Sequence, residues 1–129
     1  MYAWGDGPLD TAHAVIPRDL ITNSPSPMPP LNHIATVGSV PLGNAKWGHR
    51  DMTGNVAEWV FDTFDYFQKS DPCIHCANAF DDPNFERGSR GGSVYTKGSF
   101  AVASRGGQAP GIRSAHRGVR CARLGSGGP

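Results

Sequence analysis

Seventeen glycines and 11 prolines punctuate a chain of 129 residues, and their density constrains the fold more than any other feature. Glycine weakens the interiors of helices and strands, and proline fixes φ and removes a backbone donor, so long regular elements are disfavoured where both recur. Together they occupy about a fifth of the chain, just short of the low-complexity range. The expected product is a loop-rich fold with little regular secondary structure. A chain this long accommodates one hydrophobic core, so residues 1–129 read as a single domain.

The local pattern agrees with short elements. Residues 1–32 carry six prolines and little apolar periodicity, and read as irregular with an extended Pro-rich run. β-branched residues and turn formers from Ile34 to Val40 predict a short strand running into a turn. Between Gly54 and Phe67 the chain is richest in apolar and aromatic residues, and helical and extended patterns compete there. Residues 71–89 read as a surface loop, and Gly92–Tyr95 and Gly118–Arg123 as strands. Trp4, Trp47 and Trp59 are expected at the core or its edge rather than on a ligand platform, because a small domain needs large side chains to bury area.

Charge is divided unevenly. Residues 1–86 hold all 11 acids and 4 bases, whereas residues 87–129 hold no acid and 8 bases, seven of them arginine. Such a stretch resembles an electrostatic footprint for nucleic acid. Internal pairing is the simpler reading: the arginine fork suits carboxylates, and Asp51, Glu58, Asp62, Asp65 and Asp71 are available in the same chain. No nucleic-acid partner is expected, and an acidic ligand is the remaining alternative. No stretch approaches the roughly 20 apolar residues that span a bilayer, and the first 30 residues lack the pattern of a signal peptide. The chain is therefore expected to be soluble, without a membrane partner and with no compartment assigned.

Three cysteines cannot all pair within one chain. Cys73-Ile74-His75-Cys76 reads as a local disulfide or simple thiols, or as half of a metal site completed by His75 or Cys121. Cys121 is expected to be a small buried hydrophobe. His13, His33, His49 and His116 form no recognisable ligand spacing.

Three segments occur in order: Asp51-Met52-Thr53-Gly54-Asn55-Val56-Ala57-Glu58-Trp59-Val60, then Arg90-Gly91-Gly92-Ser93, then Gly118-Val119-Arg120-Cys121-Ala122. Upstream stand Tyr2-Ala3-Trp4-Gly5-Asp6 and Thr36-Val37-Gly38-Ser39. The ordered set resembles the formylglycine-generating-enzyme, or sulfatase-modifying-factor, domain family over most of the chain. That resemblance implies an irregular α+β fold related to C-type lectins. The family's domain is usually considerably longer, so an N-terminal portion is expected to be missing here.

The resemblance also implies a calcium site at Asp51, Gly54, Val56 and Glu58, with Asp51 standing where relatives carry Asn. Two carboxylates bracketing a glycine, with backbone carbonyls nearby, are oxygen donors of the kind Ca²⁺ takes. In the competing reading Asp51 caps a turn and Glu58 pairs with an arginine. The family's oxidase chemistry uses two cysteines spaced Cys-x4-Cys after Arg-Gly-Gly-Ser, where soft thiolates hold Cu(I). Thr96 and Ala101 occupy those positions in this chain, so neither bound copper nor formylglycine formation is expected. A ligand would lie near Ser93, Thr96, Ser99 and Arg105, by analogy with the family's substrate groove. Three functions follow: a calcium-stabilised, non-oxidase binder of a peptide, protein or small molecule; an enzyme of related oxygen-dependent thiol chemistry, formylglycine generation or sulfoxide synthesis, completed by another segment or partner; or a truncated product without independent function.

Overall fold

The aromatic run after Gly54 forms a strand. In the computed structural model, which describes residues 1–17, 33–64 and 84–121, β1 spans Ala57–Thr63. Trp59, Val60, Phe61 and Thr63 favour pleated backbone, and of three further strands two pair with it. These are β2 (Arg87–Arg90), β3 (Gly106–Gln108) and β4 (Arg117–Val119), in the spatial order β3-β2-β1-β4. β2 lies antiparallel between β3 and β1, and β4 runs parallel to β1 on the other side. The register pairs Glu58 with Arg90 and Trp59 with Ser89, and then slips: Trp59 to Thr63 on β1 run against only Ser89 to Arg87 on β2. Such a bulge bends the strand and re-aims its side chains.

Outside the sheet, the described residues contain one short 3-10 turn at Pro41–Gly43. The fold is thus loop-rich and mixed α+β in class, mostly strand, with no long helix among the described residues. No helix among them is long and apolar enough to cross a membrane. The core is small. Ala14, Ile16 and Phe100 are buried together, with Tyr2, Trp4 and Leu9 packed against them, and Val94 and Ala57 are buried beside the sheet. The N-terminal segment is threaded onto this core by backbone contacts: Asn55 donates its N–H to the Val15 carbonyl at 2.7 Å, and Gly54 bridges to Val15. Gly54 sits at φ 79°, and a side chain there would strike the Val15 carbonyl, so glycine is required twice over.

Several expectations are corrected. Ile34–Val40 is not a strand, because side chains from a distant segment take its backbone groups. Asn55 accepts from the Ala35 N–H at 2.9 Å and donates to the Ala35 carbonyl at 3.1 Å, while Asp51 accepts from the Gly38 N–H at 2.6 Å. Gly92–Tyr95 is a turn, since the positive φ of Gly91 and Gly92 ends β2 at Arg90. Residues 87–89, expected in a loop, belong to β2. The last strand stops at Val119, itself 74% exposed, because Arg120 turns away to other partners; Cys121 beyond it is exposed, not buried. Trp47 is 80% exposed, with the Lys46 ammonium 5.7 Å from its ring, so it belongs to neither core nor core edge. The Cys73–Cys76 motif, Asp65, Asp71 and the Pro-rich run from Pro25 to Pro30 lie outside the described residues.

Candidate functional site

The first signature forms a turn that enters β1. Asp51 (φ 53°), Gly54 (φ 79°) and Asn55 (φ 62°) all adopt left-handed backbone, uncommon outside glycine and stabilised here by the hydrogen bonds of Asp51 and Asn55 to residues 35–38. At its far end Glu58 is gripped by Arg120, whose Nε lies 2.9 and 3.1 Å from the two carboxylate oxygens and whose Nη2 lies 2.5 Å from Oε1. The same Nη2 donates to the Arg50 carbonyl at 3.0 Å. Hydrogen bonding to Glu58, with the charges of Glu58 and Asp51, raises the Arg120 pKa above its ordinary value. The Glu58 carboxylate and the Arg50 carbonyl therefore share one guanidinium.

A carboxylate has lone pairs beyond those an arginine fork uses and is an oxygen donor of the kind a hard cation takes, but the arrangement present pairs Glu58 with Arg120 and Asp51 with the Gly38 N–H. It also gives Arg120 first claim on Glu58. Among the described residues no group of three or more His, Cys, Asp or Glu side chains surrounds a common point.

The second site is a cavity of about 440 Å³ lined by residues of all four strands and of the loop between β2 and β3. Ser93, Thr96, Ser99 and Arg105, the four residues expected at a ligand site, all line it. So do Arg90 of β2, Arg117 of β4, His116 and Tyr95, which sequence reasoning did not single out. Their signal was present in the acid-free stretch 87–129, but which of its arginines converge depends on the sheet order.

Fixed neutral partners hold the cationic lining. Arg117 donates to Ser89 Oγ at 3.1 Å and to Gln108 Oε1 at 2.6 Å, with its guanidinium 5.0 Å above the Trp59 ring. Arg90 Nη1 donates to the carbonyls of Val102, Ala103 and Ser104 at 3.3–3.5 Å. Burial depresses the pKa of both, reinforced at Arg90 by the neighbouring charge of Arg105. The His116 ring lies tilted against Tyr95, with centroids 4.6 Å apart, and hydrogen-bonds Ser114 Oγ at 2.9 Å; burial, then the charge of Arg117, pulls its pKa below the ordinary histidine value.

Thr96 and Ala101, which the resemblance places at the positions of the oxidase cysteines, are built differently from each other. Thr96 lines the cavity, and its Oγ1 accepts the Ser93 N–H at 2.8 Å and sits 3.4 Å from Ser93 Oγ, closing the turn after β2. Ala101 is half-buried, not among the lining residues, and donates its N–H to Ser99 Oγ at 3.1 Å. One side chain is an oxygen engaged in the backbone and the other is a methyl. Neither supplies the soft sulfur that holds Cu(I).

A loop-rich α+β domain with a cationic, hydroxyl-lined cavity beside a short mixed sheet is the class that fold and site define. The profile of the sulfatase-modifying factor enzyme 1-like domain matches residues 1–124. The chain belongs to that family. No curated protein and no solved structure gave a match.

Proposed function

We propose that this chain is a non-oxidase member of the sulfatase-modifying-factor family, a binding domain for a peptide, protein or small molecule. The observation that carries the reading is at Thr96: the position that would present a thiolate to the cavity presents a hydroxyl that caps the Ser93 turn. The frame around it is retained, with Arg90-Gly91-Gly92-Ser93 forming the cavity wall. A binding surface without the redox pair is the function consistent with both.

The same proposal includes a calcium ion at the first signature. Asp51 and Glu58 would supply carboxylate oxygens, and Gly54 and Val56 backbone carbonyls, with Arg120 competing for Glu58. Bound there, the ion would stiffen the turn that leads into β1.

The test is oxidase activity itself. The purified chain, loaded with Cu(I) and given oxygen and a Cys-x-Pro-x-Arg peptide, is expected to leave the cysteine unchanged by mass spectrometry. Appearance of the aldehyde product would refute the non-oxidase reading. The Thr96→Cys/Ala101→Cys double variant, assayed in parallel, reports whether the missing thiols alone account for the silence.

A further inference from the structure

We infer that the cavity takes a small organic anion, one bearing a carboxylate or phosphate group, held by Arg90, Arg105 and Arg117. The inference rests on the reading of this cavity as a binding site and names the chemistry of its ligand. Every lining residue except Ala57 comes from the acid-free stretch 87–129, so the wall contains arginine, histidine and hydroxyls and no carboxylate. The carboxylates whose charge acts on these arginines, Asp62 on Arg90 and Glu86 on Arg117, do not line it.

Elsewhere in the molecule an arginine is satisfied by a carboxylate: Arg120 takes both oxygens of Glu58. Arg90 and Arg117 are instead fixed by neutral acceptors, namely three backbone carbonyls for one and a serine, a glutamine and an indole face for the other. Neutral partners orient a guanidinium without cancelling its charge. Arg90 and Arg117 are held in this way around one partly desolvated space, where the charge of Arg105 also acts on Arg90, and an anion placed among them relieves that repulsion while forming charge-assisted hydrogen bonds. The hydroxyls of Thr96 and Ser99 add neutral polar groups to the wall. A volume of about 440 Å³ falls in the range of small-molecule pockets and suits a compact ligand.

The test is isothermal titration of the full chain at low salt with succinate, inorganic phosphate and the neutral control succinamide. Saturable binding of succinate or phosphate, with no binding of succinamide, is expected, and the two anions separate a planar carboxylate site from a tetrahedral phosphate site. Affinity is expected to fall about tenfold in Arg105→Gln and in Arg117→Lys, which keeps the charge but loses the fork. Arg113→Gln, which removes an exposed charge outside the cavity, is expected to leave affinity unchanged. In the wild type, binding is also expected to weaken as salt is raised, a readout that needs no variant to fold.

Binding of neither anion by a chain that melts cooperatively, equal binding of succinamide, or an equal loss in Arg113→Gln overturns the inference. Saturable binding of a neutral or cationic peptide in place of the anions would overturn it while leaving the binding-domain reading intact. Formation of aldehyde in the copper assay strikes that reading itself.

Discussion

Arg117 and Arg120 stand three positions apart and meet opposite electrostatic surroundings. Arg120 is paired with Glu58, and Arg117 faces the cavity on neutral supports. Beside Arg117 in the cavity wall lies a titratable neighbour, His116, whose pKa is depressed chiefly by burial. A base with a lower pKa in the folded state binds protons more readily when unfolded. Its contribution to stability is therefore complete above the ordinary value of 6.5 and is lost as pH falls from there through the lower folded value. Asp10, depressed mainly by its hydrogen bond with His13, loses its contribution in the separate window below 3.8. Thermal melts recorded between about pH 7.5 and 5 should show a midpoint that declines in the wild type and declines less in His116→Gln. Identical slopes in the two proteins would mean that His116 is not the group responsible. A bound anion beside His116 favours its protonated form, so the same comparison made with succinate present should show the wild-type decline reduced.

At the level of elements, the turn from β2 into the cavity wall is the most constrained joint. Gly91 and Gly92 both hold positive φ, and a Cβ on Gly92 would press into the ring of Phe100, which is 2% exposed. Gly92→Ala combines left-handed backbone strain with overpacking of a buried aromatic, for an expected loss of about 2–4 kcal/mol in urea unfolding. A change below about 0.5 kcal/mol would mean that Phe100 moves aside freely. Sequence reasoning marked the apolar run that holds β1 but left helix and strand competing there, and pairing with β2 and β4 decides for the strand. It missed β3, since Gly106-Gly107-Gln108 has no strand preference of its own and becomes a strand by pairing with β2. It misplaced a strand at Ile34–Val40, where β-branched residues were outweighed by Asn55 and Asp51 capturing the backbone from 20 and 13 positions away. The site divides similarly. Ser93, Thr96, Ser99 and Arg105 were named by analogy with the family's substrate groove and line the cavity, whereas Arg117 and His116 reach it only through the parallel pairing of β4 with β1.

At the scale of the whole molecule the buried apolar volume is small: among the described residues the buried apolar side chains are Ala14, Ile16, Ala57, Val94 and Phe100. A fold with so small a core depends on tethers between its loops, and the Glu58–Arg120 pair is one. Thermal unfolding in chelator and then in saturating Ca²⁺ is expected to be cooperative, with a higher midpoint in calcium, because selective binding to the native state adds about 2.7 kcal/mol at a hundredfold excess over Kd. Arg120→Gln should lower the chelator midpoint by the equivalent of about 1–2 kcal/mol, between the values for exposed and buried pairs, and enlarge the calcium increment by freeing Glu58. An unchanged midpoint on adding calcium in both proteins would remove the ion from the proposal.

Parallel pairing of β4 with β1 also sets an order of events. The strand that begins at Ala57 acquires its neighbour at Arg117 only after some sixty intervening residues have been synthesised and folded back. Until then Glu58 lacks its guanidinium and the cavity lacks Arg117, so a nascent chain displays the first signature as an open, acidic turn. Both sites come into being together, at the moment the crossover closes.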